Sequence, residues 1–488
     1  MSWSASSASA STPTSCRDGD DGTTPLHIEE SAGVQRRAQA PPSSSEPIDP
    51  RTRRRSVDDR RHDDRSHGSD TPRSSTPDAV NELHAITDAG AKMVAAAERF
   101  ADEFTAGAFE HDRTATFAAE HLDKLRADRY LVSPVPSELG GGGVASIHDV
   151  VVASARLARG DPSTTIGVNM HFAVVLNLIR SWNIARARAA DERAHQIANL
   201  LQRIADDDVV FASAVSEPAP QDLTRPRTTA IRTSQGWSVS GCKVFATMAP
   251  AATVISVAVA FTDDDGQERY GFAWVPPSTP GVELHDDWDA IGMRASASGS
   301  LSLHDVRLGA DAVRDGFPAG TLSVAWFERF LASGLFHASA SLGIAESAQT
   351  RIEDTLNRRR ESVVEDPHAM IGLAENIVDL AAMQASLSLA ARRVDEYFAA
   401  SPRGEAGLED AQAITADVQA AKTAICDRGQ RVTDRALALS GGAGYMTAHP
   451  LAKAWRDARA GAFMHPFGVN RALELLARTS LGIAPRGR

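Results

Sequence analysis

The stretch GGAGYMTAHPLAKAWRDARAGAFMHPFGVNR, Gly441 to Arg471, decides how the rest of the chain is read. It joins a glycine turn to an Arg-Asp pair, Arg456 and Asp457, and then, eight positions past that aspartate, to His465. Gly441 and Gly442 carry no side chain, so another backbone or a ligand can approach them closely. A glycine pair also serves to end a helix. A histidine ordinarily titrates near neutral pH, so His465 is of the type that moves protons there. The same residue can instead cap or pack a last helix, with Pro466 at its first position.

Upstream of this stretch the apolar residues recur every three or four positions in three long segments, near 322–358, 369–400 and 408–440. That period means helices, and long antiparallel helices make a bundle. In the middle segment Met370, Leu373, Ile377, Leu380, Ala381 and Leu387 form one stripe. Before the bundle, from about Asp208, the period changes to alternation. VVFASAVSE, TTAIRTS, GWSVSGCKVFAT, TVISVAVAF, RYGFAWVP and SLSLHDVRL read as short strands of a small antiparallel barrel or sandwich. Earlier still, Val80 to about Gln202 is helical, interrupted by SPVPSELGGGG and by Asp161-Pro162. The expected organisation is α+β: a helical domain over 79–207, a β domain over 208–318 and a helix bundle over 319–488.

Residues 1–78 hold few large apolar side chains and many Ser, Pro, Asp and Arg, a composition expected to stay disordered. Acidic residues such as Asp18, Asp20 and Glu29 argue against a transit peptide. There is no run of 18 apolar residues, so no membrane span and a cytoplasmic location are expected. The net charge of -12 disfavours nucleic acid and anionic membranes as partners, although a local basic pocket for an anionic ligand stays compatible with it. Cys16, Cys242 and Cys426 lie far apart and suggest neither a metal site nor a disulfide framework.

Several local matches, in order, resemble the acyl-CoA dehydrogenase superfamily. They are LVSPVPSELGGGGVASIHDVVVASARLARGDPST at 131–164, Ser216-Glu217-Pro218, GCKVFATMAPAATVISV at 241–257, WDAIGMRASASGSLSLHDVRL at 288–308, SLGIAESA at 341–348 and the opening glycine turn. The resemblance implies a flavoprotein oxidoreductase with an N-terminal helical domain, a middle β-barrel domain and a C-terminal four-helix bundle. It implies FAD between the β domain and the bundle, near Ser216 and Thr247. It also implies that Arg360, Gly441 and Gly442 hold the dinucleotide part, often of a neighbouring subunit's flavin. A homotetramer or homodimer follows in the same way. The family's Arg-X-X-Phe-Gly reads Arg360-Glu361-Ser362-Val363-Val364 here, and the loop after Ser216 is shortened to SEPAPQD. These departures allow weaker binding of FAD, or reduced FMN or FAD supplied by a flavin reductase.

Dehydrogenation of an acyl-CoA needs a carboxylate base opposite the flavin. Many members place a glutamate eight residues past the Arg-Asp aspartate, where this chain has His465. Other members carry the base on the first long bundle helix, near Ser333; the closest acid is Glu328, five residues early. A histidine at 465 resembles instead the two-component monooxygenase branch, such as dibenzothiophene monooxygenase, whose members use reduced flavin and O2. The expected reaction is therefore monooxygenation of an aromatic or heteroatom compound, with His465 as acid or base. The alternative is acyl-CoA dehydrogenation using His465 or Glu328, with electrons passing to an electron-transfer flavoprotein. A third reading is a silent member that binds a CoA ester or a protein partner. His171, on a helix the family places along the substrate cavity, and His337, on the first long bundle helix, are further candidates. Asn169 is a weaker one. Arg456 and Asp457 are expected to form a structural ion pair or cap.

Overall fold

The computed structural model describes residues 82–206, 209–219 and 221–486, without the side chains of Arg314 and Asp315. The expectation for the 78-residue tail lies outside these residues.

Five helices come first: α1 (Asp88–Thr114), α2 (Ala119–Ala127), α3 (Ile147–Ala158), α4 (Pro162–Ala187) and α5 (Asp191–Asp206). Side chains set their starts. The Thr87 hydroxyl accepts from Gly90 N, and Asp161 accepts from Ser163 N and Thr164 N ahead of Pro162 in the first turn of α4. Every residue of α3 is buried, because helices pack around the run IHDVVVASARLA and its polar side chains find partners inside. Its one arginine, Arg156, is matched by Glu98 at 3.0 Å, Glu82 at 3.0 Å and Glu346 at 3.5 Å.

Eight strands follow: β1 (Phe211–Ala214), β2 (Thr229–Thr233), β3 (Gly236–Lys243), β4 (Val254–Thr262), β5 (Glu268–Val275), β6 (Val282–Leu284), β7 (Leu301–Leu308) and β8 (Val313–Pro318). They form one sheet in the order β6-β7-β3-β2-β4-β5-β8, with β1 on β4. The pairing departs from the purely antiparallel expectation at two places. β1 runs parallel to β4, and β2 meets β4 in parallel at Thr229 and Ala260. The reason is that the chain arrives at β1 from α5 rather than from a hairpin, so no tight turn dictates its direction.

The bundle contains α6 (Val324–Asn357), α7 (Arg360–Val363), α8 (Pro367–Ala400), α9 (Leu408–Leu439), α10 (Pro450–Asp457) and α11 (Val469–Ser480). With 34 residues, α6 is about 50 Å long. Its aromatic start, Trp326, Phe327 and Phe330, packs with Tyr270, Phe272 and Phe317 of the sheet. Its middle packs on α3 and its end on α9 and α10. At the crossing with α3, a Cβ on Gly343 would stand 2.2 Å from Ala155 O, so only glycine permits that approach.

One stripe is corrected. On α8 the buried positions are Ala369, Asn376, Asp379, Leu380, Met383, Leu387, Ala390, Ala391 and Val394, whereas Met370 and Ile377 are exposed. The apolar residues of α8 occupy two faces, and only one of them is covered by the described residues.

Candidate functional site

A cavity of about 450 Å³ opens where α4, the sheet and the bundle meet. That size falls in the range of about 300–1,000 Å³ usual for small-molecule sites. Its sheet wall carries Ser216, Thr247 and Ser298. The hydroxyls of Thr247 and Ser298 lie 2.9 Å apart, and Ser296 stands 2.7 Å behind Ser298. Four non-glycine residues around this hydroxyl row have positive φ: Phe245 (60°), Met248 (63°), Met293 (53°) and Ala297 (46°). Such backbone is costly and persists where packing fixes it, often beside a ligand.

The clamp that fixes it is visible. Met293 N donates to Asp457 Oδ1 at 2.6 Å, and Asp457 pairs with Lys453 Nζ at 2.5 Å. Gly292 lies so close to α10 that a Cβ there would stand 2.3 Å from Arg456 O. Arg456 itself pairs with Asp112 of α1. The expected structural role of Arg456 and Asp457 is thus seen with different partners: each is bound elsewhere rather than to the other.

The facing wall is built from α6 and the segment after α10. Arg329, Phe330, Ser333 and His337 come from α6, and His465 and Arg471 from the C-terminal segment. The His465 ring meets Phe330 edge to face, centroids 5.0 Å apart. His465 Nε2 and His337 Nδ1 are buried without a partner. Burial, then the positive charges of Lys422, Arg471 and Lys243, push His465 down to about 3. Burial, followed by Lys422 and His465, holds His337 well below the ordinary histidine value, against a backbone hydrogen bond with His465. Both imidazoles are therefore neutral near pH 7 and present lone pairs or N–H groups rather than charge.

Lys422 of α9 sets this segment. Its Nζ donates to Met464 O at 2.6 Å and to Phe467 O at 2.8 Å, on either side of His465. Burial pushes Lys422 down to about 8. The carboxylate on the cavity wall, Glu217, is fully committed. It accepts from Lys243 Nζ at 2.7 Å, Arg227 N at 2.8 Å and Thr228 N at 2.9 Å. Burial would raise Glu217, but the ammonium of Lys243 and these donors hold it below the ordinary value.

The structure thus brings Ser216, Thr247, His337 and His465 together, and separates other candidates from them. His171 is a core residue: its Nε2 donates to Leu131 O at 3.0 Å and its Nδ1 accepts from Phe211 N at 3.1 Å. Asn169 bonds Ser154 and Phe336 O. Glu328 opens into a different cavity, where it binds Arg180 and the hydroxyl of Tyr397, each at 3.1 Å. Neighbouring residues on a helix point about 100° apart, so Arg329 faces this cavity and Glu328 does not. Arg360, Gly441 and Gly442 are exposed and away from the cavity of their own chain. Pro466 is not the first residue of a helix, since α11 begins at Val469 with Gly468 as its cap. Sequence reasoning missed Ser298, Lys422, Arg329 and Arg471. Lys422 had a signal, a charged residue inside the apolar face of α9.

Helices, sheet and bundle arranged around such a cavity define a class, and sequence comparison identifies it. Residues 87–188, 212–306 and 335–467 match the acyl-CoA dehydrogenase N-terminal, middle and C-terminal domains. The chain belongs to the acyl-CoA dehydrogenase family and is a flavin-dependent oxidoreductase. It is 30% identical to amino sugar nitrososynthase DnmZ of Streptomyces peucetius, over 81% of this chain and 94% of that one. It is 26% identical to dibenzothiophene monooxygenase of Rhodococcus erythropolis, over 75% and 88%. Among solved structures, KijD3 in complex with FMN and a dTDP-linked amino sugar matches with a TM-score of 0.74 at 29% identity, over 83% and 97%.

The residues present suit a flavin. A row of hydroxyls on strained, clamped backbone lines one wall, and two imidazoles, each with one ring nitrogen that has no partner, line the other. No helix among the described residues is long and apolar enough to cross a membrane.

Proposed function

We propose that this protein is a reduced-flavin-dependent monooxygenase that oxygenates the nitrogen of a small amine. One observation carries the choice against dehydrogenation. Among the described residues lining the cavity the sole carboxylate is Glu217, and it is locked to Lys243. What remains for proton work is the neutral pair His465 and His337. Ser216, Thr247 and Ser298 would hold and polarise the edge of a reduced flavin, which when bound would supply the two electrons needed for one oxygen atom of O2 to go to the substrate and the other to leave as water. An amine must be unprotonated to use its lone pair, and the cationic surroundings of the two histidines disfavour an ammonium there. His465 accepts the proton released as the N–O bond forms, and His337 stands behind it. The amine is chosen over an aromatic substrate because nitrososynthases are among the relatives.

Arg360, Gly441 and Gly442 fit the same reading in an oligomer, where they would line the flavin site of a neighbouring copy. The reduced flavin then comes from a reductase partner.

The test mixes the protein anaerobically with flavin and a panel of acyl-CoA thioesters, and separately with reduced FMN, O2 and amino sugars. The expected result is no bleaching by thioesters and O2-dependent hydroxylamine formation. Bleaching by any thioester overturns the proposal. His465→Ala is expected to lower turnover roughly 100-fold, the usual loss on removing a general base. Full turnover in that variant removes His465 from the mechanism.

A further inference from the structure

A second cavity, of about 540 Å³, adjoins the first. Asn177 of α4 lines both. The two helices that meet there divide their side chains between the cavities. On α4, Ala173 and Val174 face the first, and Leu176 and Arg180 the second. On α6, Arg329 and Ser333 face the first, and Glu328 and Ala332 the second. Successive residues of a helix point about 100° apart, so the wall between the cavities is the contact line of α4 and α6, with Asn177 on it.

The Asn177 side chain is held across that line. Its Nδ2 donates to Ala173 O of its own helix at 2.6 Å and to Arg329 O of α6 at 3.2 Å. The residues a turn away, Ala173 before it on α4 and Ala332 after Arg329 on α6, are small, so the asparagine supplies much of the bulk of the partition. Beyond it the second cavity is chiefly apolar, with Ile86, Ile147, Leu176, Ile179 and Phe398 on its walls. Its charged groups are compensated. Arg180 and Glu328 pair at 3.1 Å, and Asp395 accepts from Ser146 Oγ at 2.7 Å and Ile147 N at 2.8 Å. Such a space suits an uncharged hydrocarbon part and is unfavourable to an unpaired charge.

We infer that Asn177 is a specificity-determining residue that closes the first cavity toward the second, and so confines the substrate to molecules without a long apolar extension. Removing its side chain joins the first cavity to about 540 Å³ of mostly apolar space. A hydrocarbon chain entering that space gains about fourfold in affinity for each methylene buried. The asparagine acts through its bulk, and its two hydrogen bonds fix where that bulk stands. This inference rests on reading the first cavity as the substrate site.

The experiment measures equilibrium binding of the straight-chain primary alcohols butanol, hexanol, octanol and decanol to the FMN-loaded, oxidised protein, read from the flavin absorbance, with no turnover. Uncharged alcohols make the result independent of whether the substrate is an amine. In the parent protein affinity should rise about fourfold per methylene and then level off within the series. In Asn177→Ala it should keep rising, so that decanol binds roughly tenfold tighter or more than to the parent while butanol is unchanged. Asn177→Leu keeps the bulk without the amide and should level off as the parent does. The same chain-length dependence in the parent and in Asn177→Ala overturns the inference, and so does a parent affinity that rises unbroken to decanol. Asn177→Leu behaving as Asn177→Ala overturns it too, since the effect would then belong to the lost bonds between α4 and α6. If neither parent nor variant binds any alcohol, the reading of the first cavity as a substrate site falls, and the inference with it. A failure to oxygenate amines leaves each of these outcomes readable.

Discussion

At the scale of single residues, burial shifts both cavity histidines below the ordinary histidine value. Burial beside Lys422 leaves His465 titrating at about 3 and His337 well below its ordinary value. The unfolded chain takes up protons on these residues near pH 6.5, the folded chain only far below it. Their neutral state therefore costs nothing above pH 6.5, and stability is lost as pH falls from there toward 3. The slope is about 1.4 kcal/mol per pH unit for each histidine. Urea unfolding of His465→Gln should accordingly lose less stability than the parent chain between pH 7 and pH 5. Parallel losses in the two proteins would mean that His465 takes up its proton readily in the folded state. The same neutrality shapes activity. The acid limb of the turnover profile should show no inflection at pH 6.5, and an inflection there would place a freely titrating histidine in the site.

At the scale of elements, the segment after α10 is held by one side chain from α9. Lys422 bonds both Met464 O and Phe467 O, so it sets the path of His465 between them. Lys422→Met leaves two carbonyls without donors, at about 1–3 kcal/mol each, and removes a buried charge whose desolvation was itself unfavourable. These effects oppose one another in stability, so the clearer readout is kinetic. Turnover should drop about tenfold with KM little altered, and the pKa of His465 should rise as a neighbouring cation disappears. A changed KM with unchanged turnover would contradict a positioning role. The elements themselves were legible because long helices repeat apolar residues every three or four positions and half-buried strands alternate. The identity of the covered face was not legible. On α8 the spacing of Met370, Leu373, Ile377 and Leu380 is helical throughout, yet Leu373 and Leu380 turn inward while Met370 and Ile377 are exposed. Histidines posed the same difficulty. His171, His337 and His465 all sit in apolar sequence, and only contacts across the fold show that the ring nitrogens of His171 are satisfied while one in each of the others has no partner. Glu328 looked near enough in number to serve as a base, but a helix assigns adjacent residues to different faces. Arg329 passed unread for the converse reason, since an arginine in a helix ordinarily signals a solvated surface.

At the scale of the whole molecule, one helix carries a stripe of large apolar side chains that the described residues leave exposed. Met370, Ile371, Ile377 and Val378 of α8 are 52%, 58%, 54% and 69% exposed. The two pairs lie seven residues apart, two turns along one face. An exposed apolar stripe of this kind is characteristic of an association surface. Near that end of the bundle Arg359 donates to Leu439 O, which ties α7 to the end of α9 and so sets Arg360 close to Gly441. Tyr445 and Met446, just beyond the glycines, are 92% and 64% exposed. Residues proposed to touch a flavin thus stand beside the uncovered surface and away from their own cavity, as expected if the flavin they serve belongs to another copy. Ile377→Glu combined with Val378→Asp places two like charges on this stripe without entering the buried face of α8. Sedimentation should then show the chain shifted toward its monomer mass of 51.9 kDa. FMN affinity should fall with it, because each cavity loses the neighbour's Arg360 and glycine turn. A variant that keeps the parent's sedimentation places the association surface elsewhere. A monomeric variant with undiminished FMN affinity shows instead that each chain completes its own flavin site.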